Sequence, residues 1–479
     1  MSPPDTTPPL PVTSRDVFAS LSASRVRRLE RDAGNGDLIR ALEALEIAGP
    51  FTVTSPWELT DERGRHLISA GGYAALPFGE HYPPLVDFLR DYLQHNTAPG
   101  LPQQSASTWR AALETNLVAL LARQAPSHYD SQVFFSNSGA EAIEAAIKFV
   151  RAARPGAKIL LNFRGAYHGK TAGALSLTPN EEYQAPFRPL LGDIVTLPYG
   201  DADAFVETVA RLGPDKIGGV VLEPLLGEGG VVTPPPEFLP TVTTVCQKHG
   251  LIVVADEVQS GLGRTGYWFA SVAGGLEPDI ITLAKPLGGG LVPVGATIAR
   301  RNIVRRALGG LYAKRHSNTF GGGSLAMAVG LKSLEILVDE DLVNRARTLG
   351  DHGLARLKAI QQEHPDFLAE VRGAGMLFAL QLQPLLPDRI LPSQAELVSQ
   401  LGSGLGLRAL HRAGVHACYT LNASRIIRLT PALNMPEHLF ETLFDRVETA
   451  ARRYPHSWQL VPTAPPKTLF GLARLALKR

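Results

Sequence analysis

The sequence is poor in cysteine and has no excess of charge of either sign. Its 479 residues include 2 cysteines, Cys246 and Cys418, which are too few for a disulfide framework or a cysteine-based metal site. Lysine and arginine number 47 against 45 aspartates and glutamates, so the basic surface typical of nucleic-acid binding is not indicated. We therefore expect a cytoplasmic protein that binds no nucleic acid and holds no metal.

Long apolar runs are missing too. None approaches the roughly 18 residues of a membrane-spanning helix, and the polar start MSPPDTTPPLPVTSRD lacks the basic and apolar regions of a signal peptide. We expect no membrane span and a disordered tail over residues 1–13. Residues 466–479 are apolar on one side and basic on the other, which favours a docked surface helix over contact with a membrane surface.

A GxGxxG fingerprint does not follow the first predicted strand, so a Rossmann dinucleotide site is not indicated. Residues 130–300 instead repeat the pattern of strand, glycine loop and helix. This pattern predicts an α/β fold whose large domain has a mostly parallel seven-stranded sheet, covered by helices on both faces. The predicted strands are Gln132–Phe135, Lys158–Asn162, Ile194–Leu197, Gly219–Leu222, Leu251–Ala255, Ile280–Ala284 and Gly295–Ala299.

The length of the chain indicates two or three domains. After the tail we predict an N-terminal segment over residues 14–95 that joins the small domain, a large domain over 96–330 and a smaller α+β domain over 331–479. Helical patterns cover residues 14–48 (broken at Gly34–Gly36), 84–98, 106–126 and 324–360, a hairpin is predicted within 51–70, and later strands at Met376–Leu382 and Arg425–Leu429.

Two neighbouring predicted strands each end on one charged residue. Asp256 follows Leu251–Ala255, and Lys285 follows Ile280–Ala284. Ligands bind at the carboxyl ends of the strands in open α/β sheets. An aspartate and a lysine among glycines at that edge therefore indicate chemistry, although an ion pair that caps two strands would give the same pattern.

The segment Phe135–Ala142 (FSNSGAEA) leads a predicted strand into a helix through small residues. Ser138 and Glu141 have the spacing of a capping box. The unbonded amides and the positive dipole end of such a helix suit a phosphate. A capped helix with nothing bound is an equal alternative for this segment alone.

Two further segments follow predicted strands. Phe163–Lys170 (FRGAYHGK) brings an aromatic ring, an imidazole and a cation into a glycine turn, where a flat cofactor ring could stack on Tyr167; an ordinary loop is the alternative. Glu223–Gly230 (EPLLGEGG) carries two carboxylates at the end of a buried strand, and buried carboxylates need partners. Nothing local supplies a partner, so we expect a distant arginine or a ligand.

Together these segments describe one cofactor. A lysine in a partly desolvated site has a lowered pKa and reacts with a carbonyl. A carboxylate beside a pyridine nitrogen keeps that nitrogen protonated and makes the ring an electron sink. A phosphate cradle, a stacking aromatic ring, a carboxylate and a lysine, in this order, predict pyridoxal 5′-phosphate (PLP).

The sequence resembles the class III, or ω-, aminotransferases of fold type I, from about Trp57 to about Pro431. The phrase ADEVQSGLGRTG at Ala255–Gly266, followed by PDIITLAK at Pro278–Lys285, is specific to that family. Within the family the chain is most similar to putrescine–2-oxoglutarate aminotransferases. The segments that carry this closer similarity are Glu223–Pro236, His364–Gly375 and Tyr419–Leu433.

The resemblance implies a role for each cofactor-binding residue. Lys285 would bind the cofactor covalently and move the proton, and Asp256 would pair with the pyridine nitrogen on the opposite side of the ring. These two residues should therefore not form a direct ion pair. Ser138, Gly139, Ala140 and Thr319 of a neighbouring subunit would contact the phosphate. Tyr167 would stack on the ring with His168 beside it, Gln259 would contact the phenolic oxygen, and Glu223 would also bind the cofactor. A homodimer or larger homo-oligomer is implied.

The substrate residues follow from the same resemblance. Arg428 would clamp a substrate carboxylate through its planar fork, and Glu228 would pair with Arg428 when the donor has no carboxylate there. Lys170 stands where acetylornithine and ornithine enzymes carry an arginine; lysine is a poorer bidentate partner, which favours a donor without an α-carboxylate. Ser324 also departs from the family's usual loop and leaves substrate preference open.

The sequence thus predicts a PLP-dependent aminotransferase that moves an amino group from a putrescine-like ω-amine or diamine to 2-oxoglutarate. The alternatives are an N-acetylornithine, ornithine or 4-aminobutyrate aminotransferase, and a racemase or aminomutase on the same fold. A regulatory protein that has kept only the fold is disfavoured because Lys285 and Asp256 are both present.

Overall fold

The computed structural model describes residues 10–102, 104–386 and 395–462. The predicted tail of residues 1–13 falls outside the described residues up to residue 9, and the amphipathic segment 466–479 falls outside them entirely. Among the described helices, none is long and apolar enough to cross a membrane.

The described strands form three sheets. They are Thr52–Ser55 (β1), Glu58–Thr60 (β2), His66–Ser69 (β3), Gln132–Ser136 (β4), Ile159–Phe163 (β5), Ile194–Leu197 (β6), Ile217–Leu222 (β7), Ile252–Asp256 (β8), Ile280–Leu283 (β9), Gly295–Ala299 (β10), Leu368–Ala374 (β11), Leu377–Leu382 (β12), Val415–His416 (β13), Cys418–Tyr419 (β14) and Ile426–Leu429 (β15).

The α-helices of the described residues lie before, between and after these strands. They are Ser14–Phe18 (α1), Ala23–Ala33 (α2), Gly36–Ala44 (α3), Pro83–His95 (α4), Thr108–Gln124 (α5), Gly139–Ala153 (α6), Ala172–Ser176 (α7), Glu181–Gln184 (α8), Ala202–Leu212 (α9), Phe238–His249 (α10), Ala270–Ala273 (α11), Arg301–Leu308 (α12), Ser324–Asp339 (α13), Leu342–Glu363 (α14), Ala395–Arg412 (α15) and Glu437–Arg453 (α16).

The central sheet has seven strands in the order β4-β10-β9-β8-β7-β5-β6. All seven predicted strands are present, with ends shifted by no more than about two residues, the usual uncertainty of strand and helix ends. β10 runs antiparallel to both of its neighbours, and the other pairs are parallel. Every residue of β7, β9 and β10 is buried, as expected for strands that are covered on both faces.

The carboxyl ends of β8 and β9 meet at one edge of this sheet. Asp256 is the last residue of β8 and pairs in register with Thr282 of β9. Lys285 lies just beyond β9 at the start of a 3-10 turn, with a φ of 35°, the left-handed region that non-glycine residues rarely adopt. Such strain is concentrated at functional sites.

Two smaller sheets complete the fold. One has the order β1-β2-β3-β13, and the hairpin predicted within residues 51–70 is its β2–β3 pair. Because β13 pairs with β3, the N-terminal residues share a sheet with the C-terminal third of the chain. The other sheet, β11-β12-β15-β14, is antiparallel and carries Arg428 on β15.

The predicted helical patterns are present, with two differences in extent. The break at Gly34–Gly36 separates α2 from α3, but a second break after Phe18 isolates α1. The pattern over residues 324–360 is divided into α13 and α14, and Asp341 before α14 has a left-handed φ of 48°. The domain boundaries at residues 95 and 330 stay a prediction.

Candidate active site

A cavity of about 500 Å³ lies at the carboxyl ends of the central strands. The turns after β4, β5, β7, β8 and β9 all reach it, as expected for an open α/β sheet. The structure brings together here eleven of the residues singled out in the sequence: Ser138, Gly139, Ala140, Tyr167, His168, Lys170, Glu223, Glu228, Asp256, Gln259 and Lys285.

One end of the cavity is the start of α6. The Ser138 hydroxyl accepts a hydrogen bond from the Glu141 amide at 3.2 Å and caps the helix. The Glu141 carboxylate accepts a hydrogen bond from the backbone amide of Asn137 at 2.6 Å. In a full capping box it would accept from the backbone amide of Ser138 instead. A Cβ on Gly139 would lie 2.7 Å from a methyl carbon of Val258, so the turn requires glycine.

Asp256 is held from both sides at the centre of the cavity. Its Oδ2 lies 2.7 Å from Nδ1 of His168, and its Oδ1 accepts from the Val258 amide at 3.0 Å and from the Thr282 hydroxyl at 3.2 Å. Both Asp256 and His168 are buried. The His168 Nε2 has no hydrogen-bond partner among the described residues. The sequence indicated His168 beside the ring but did not predict its bond to Asp256.

Lys285 stands apart from Asp256. The ion pairs of the described residues do not include one between them, and Asp256 contacts His168 instead. Burial lowers the pKa of the Lys285 amine; the Glu228 carboxylate opposes that shift, and the Arg428 guanidinium adds to it. A larger share of neutral amine at a given pH makes Lys285 a better nucleophile and proton acceptor.

Glu223 has hydrogen-bond partners that the sequence did not predict. The sequence indicated no local partner, but the amides of Tyr167 and Gly227 each donate to Glu223 at 2.9 Å. Backbone amides escape sequence patterns because any residue supplies one. Burial raises the pKa of Glu223 to about 7; His168 opposes the shift and Asp256 adds to it.

Glu228 and Arg428 form a buried ion pair at the cavity wall. Gln259 bridges them, because its Nε2 donates to Glu228 at 3.3 Å and its Oε1 accepts from Arg428 at 3.1 Å. Burial alone would raise the pKa of Glu228, but Arg428 and Lys285 outweigh it and hold the pKa below its usual range. The Arg428 Nε and Nη2 have no partner in the described part of the chain.

Lys170 and Thr319 lie farther out. Lys170 is exposed at the cavity rim, with its Nζ 4.0 Å from the ring centroid of Tyr183. Thr319 is exposed and does not line this cavity, so one chain alone does not bring it to the other site residues.

Sequence reasoning missed the residues that surround the ion pair. The guanidinium of Arg428 lies 5.7 Å from the ring centroid of Tyr73, and Cys418 is its cross-strand neighbour. Tyr73 has a left-handed φ of 52° in an irregular loop, where no hydrophobic period marks it. Other wall residues to which the sequence assigned no role are Ala75, Asn137, Val258, Leu291, Val292, Pro293 and Val294.

The family model described as Aminotransferase class-III matches residues 52–451. The chain belongs to the class III aminotransferases. The aminotransferase PigE of Serratia sp. is 38% identical to it over 338 residues. The alignment covers 70% of this chain and 38% of the relative, so the chain spans less than half the length of that relative.

Solved structures share the fold of this class III chain. The amine transaminase of an uncultivated Pseudomonas species, solved with PLP bound, is 26% identical with a TM-score of 0.74 and covers 85% of this chain and 95% of its own. The ornithine aminotransferase of Toxoplasma gondii ME49 is 22% identical with a TM-score of 0.78, and the match covers 93% of this chain and 99% of the ornithine aminotransferase. At that lower identity the likeness shows the fold alone.

PLP is the cofactor of this aminotransferase family, and the cavity residues fit it. The α6 start offers amides that have no intrahelical acceptor, in a turn where a Cβ on Gly139 would collide with Val258. A half-buried lysine with a lowered pKa suits an aldehyde. Asp256 is a buried carboxylate already oriented by His168, which suits a protonated ring nitrogen.

Proposed function

We propose that this class III aminotransferase moves the amino group of a putrescine-like ω-amine or diamine to 2-oxoglutarate, giving an aldehyde and glutamate. The buried ion pair of Glu228 and Arg428 is the observation that carries the proposal. While the pair is closed, its charges cancel, and the wall presents no unpaired cation to a donor that has no carboxylate. When Glu228 releases Arg428, the guanidinium can take a carboxylate by two parallel hydrogen bonds.

The cofactor supplies an aldehyde that captures amines and a ring that accepts electrons. For the protein, we assign the cofactor phosphate to Ser138, Gly139 and Ala140, and the covalent bond and proton transfer to Lys285. The lowered pKa of Lys285 helps it to take a proton from the donor carbon. Further contacts in this proposal are Tyr167 on the ring face, Gln259 and Glu223 near the phenolic side, Asp256 at the ring nitrogen with His168 behind it, and Thr319 of a neighbouring subunit.

Lys170 supports a donor without an α-carboxylate. Its Nζ already lies over the Tyr183 ring, and it offers a single point charge instead of a guanidinium fork. Ornithine, N-acetylornithine and 4-aminobutyrate each bring a carboxylate to the donor half-reaction, and these donors are the alternatives to be tested.

A homodimer is part of the proposal because Thr319 is exposed and lies outside its own chain's cavity. The sedimentation of the PLP-loaded enzyme tests this point, since a monomer at working concentration contradicts it. A cytoplasmic location is proposed from the low cysteine content of 2 in 479 residues.

A half-reaction screen tests the function. Purified PLP-loaded enzyme is mixed with single amines, and the loss of the absorbance of lysine-bound cofactor is followed. We expect putrescine or cadaverine to react faster than ornithine, N-acetylornithine or 4-aminobutyrate, and 2-oxoglutarate to restore the absorbance. Faster reaction with a carboxylated donor contradicts the donor class. Turnover without any 2-oxo acid indicates a racemase or aminomutase instead.

A further inference from the structure

The three segments that carry the closer family similarity meet around Glu228. Glu228 belongs to the first, Glu223–Pro236. In the second, His364–Gly375, the Arg372 Nε donates to the Gly230 carbonyl at 2.9 Å. In the third, Tyr419–Leu433, the backbone amide of Asn422 donates to the backbone carbonyl of Glu228 at 3.0 Å. Segments that are distant in sequence therefore converge on one carboxylate-bearing loop.

The turn Thr420–Arg425 connects β14 to β15, and we call it the strap. Its Leu421 amide donates to Oε2 of Glu228 at 3.0 Å, while Arg428 and Gln259 contact Oε1. One oxygen of Glu228 thus faces Arg428, and the other is fixed by the turn of the sheet that carries Arg428.

The strap also contacts the turn that follows β5, and Asn422 makes that contact. Its Nδ2 donates to the Ala166 carbonyl at 2.7 Å, directly before Tyr167. Its Oδ1 accepts from Asn180 Nδ2 at 3.0 Å. The Tyr183 hydroxyl adds a bond to the Leu421 carbonyl at 3.0 Å.

The strap itself is held in shape. The Thr420 hydroxyl donates to the Ala423 carbonyl at 2.7 Å, and the Arg425 amide donates to the Ser403 hydroxyl of α15 at 2.9 Å. Ala423 packs into a small apolar cluster with Val231 and Ile426. The strap therefore links the loop of Glu228 to strand β15, and loosening the strap allows the two to move relative to each other.

We propose that Asn422 is a positioning residue that docks the strap on the turn after β5 and so holds Glu228 against Arg428. The proposal rests on the function proposed above, in which Glu228 neutralises Arg428 during the donor half-reaction. Glu228 sits on the large sheet's loop and Arg428 on the small antiparallel sheet, so their contact depends on how these two parts are held together.

The position of the strap then sets the balance between the two substrates. A donor without a carboxylate binds best when Glu228 stays on Arg428, because an unpaired buried guanidinium is costly. A dicarboxylate must displace Glu228 from Arg428. Loosening the strap therefore weakens the binding of such donors and strengthens the binding of dicarboxylates, two effects of opposite sign.

The substitution Asn422→Ala removes both side-chain bonds and leaves the backbone contacts. We expect the donor concentration for half-maximal reaction to rise about fivefold, in line with the loss of ordinary hydrogen bonds. We expect glutarate, a dicarboxylate that cannot be transaminated, to bind about threefold more tightly by calorimetry. Asn344→Ala on α14, an exposed asparagine far from the cavity, is the matched control and should change neither value.

The directions of the changes in donor binding and in glutarate binding decide the outcome. If both ligands bind more weakly, Asn422 has only a general structural role, and the proposal is wrong; it is also wrong if neither value changes. Should Asn422→Ala fail to fold, Asn180→Asp replaces it. An aspartate keeps the cap that Asn180 Oδ1 provides to the Tyr183 amide but repels Asn422 Oδ1, and we expect the same two shifts with smaller size.

A failure of the proposed function gives a different result. If wild-type enzyme reacts with no amine that lacks a carboxylate, the donor assignment fails before Asn422 is tested. If Glu228→Gln leaves glutarate binding unchanged, the role of Glu228 fails. If wild type and Glu228→Gln both behave as expected, the role of the strap alone is overturned when Asn422→Ala changes neither value or weakens the binding of both ligands.

Discussion

His168 and Asp256 face each other at 2.7 Å between Nδ1 and Oδ2 in the cavity, and both side chains are buried. The carboxylate accepts, so the imidazole donates from Nδ1. Among the described residues, Asp256 has two other donors, Val258 and Thr282, but both contact Oδ1, and His168 is the one that contacts Oδ2. His168 thus fixes the carboxylate oxygen that Val258 and Thr282 do not contact.

Replacement of His168 tests this relationship. His168→Phe keeps the ring volume but leaves a buried carboxylate oxygen without its donor, which costs about 1–3 kcal/mol. We expect the free energy of unfolding of the cofactor-free protein to fall by that amount, and turnover to fall with it. His168→Asn, which can still donate, should recover part of both. Denaturant titration and steady-state rates measure the effects, and equal loss in both variants argues against the hydrogen bond.

Lys285→Ala should abolish turnover together with the absorbance of lysine-bound cofactor. No other residue recorded in the cavity wall offers an amine at this position, since Lys170 lies at the exposed rim. Lys358→Ala, an exposed lysine on α14, serves as the control and should leave both signals intact. Retained turnover in Lys285→Ala removes the aminotransferase assignment of this site.

The fork of Arg428 should matter more than its charge. Arg428→Lys keeps a cation but loses the two parallel hydrogen bonds to a carboxylate. We expect the KM for 2-oxoglutarate to rise by about tenfold or more, the effect of about 1.4 kcal/mol, while the rate of the half-reaction with an amine that lacks a carboxylate changes much less. Stopped-flow measurement of each half-reaction separates the two, and an equal change in both contradicts the carboxylate role.

Glu223 should make stability depend on pH. Its pKa is raised by burial from 4.5 to about 7, so the folded protein binds the proton more tightly than the unfolded chain. Stability from this group is therefore greatest below pH 4.5 and declines as pH rises to about 7, by roughly 3 kcal/mol in total. In denaturant titrations of cofactor-free protein, the stability of wild type relative to Glu223→Gln should fall across this window. A difference that is flat with pH contradicts the shift.

Gly139→Ala should weaken the binding of PLP by filling the start of α6. The new Cβ would lie 2.7 Å from Val258, and the turn must shift to accept it. Gly192→Ala is the control, because a Cβ there meets nothing within 4 Å. The double variant Gly139→Ala with Val258→Ala should recover affinity measured by PLP titration. Failure of the second substitution to restore binding indicates that the collision is not the cause.

The inner strands of the central sheet, such as β8 and β9, are predictable because they are buried on both faces and read as apolar β-branched runs. Asp256 and Lys285 are predictable for the same reason, since each is a charge that ends such a run. The N-cap by Ser138 follows from local spacing, although the Glu141 carboxylate bonds Asn137. Family resemblance, not periodicity, pointed to Arg428.

Other parts of the site depend on contacts that no local pattern records. The partners of Glu223 are backbone amides, and any sequence offers those. Tyr73 lies in an irregular loop, and Asn422 acts across 256 positions of sequence to reach Ala166. The register of the two smaller sheets decides these approaches, and short strands such as β13 and β14 leave little trace in the hydrophobic pattern.

The reversed strand β10 has a consequence for the spacing of the site. It lies between β4 and β9, and its first residue, Gly295, pairs with Ser136 at the cavity edge. A Cβ on Gly295 would stand 2.3 Å from the Ser138 carbonyl, so the strand starts there without a side chain. β10 is therefore a spacer: at about 4.8 Å per strand step, it sets the turn after β4 roughly 10 Å from the turn of Lys285 after β9. The separation of the two turns is built into the strand order, and loop substitutions alone cannot change it.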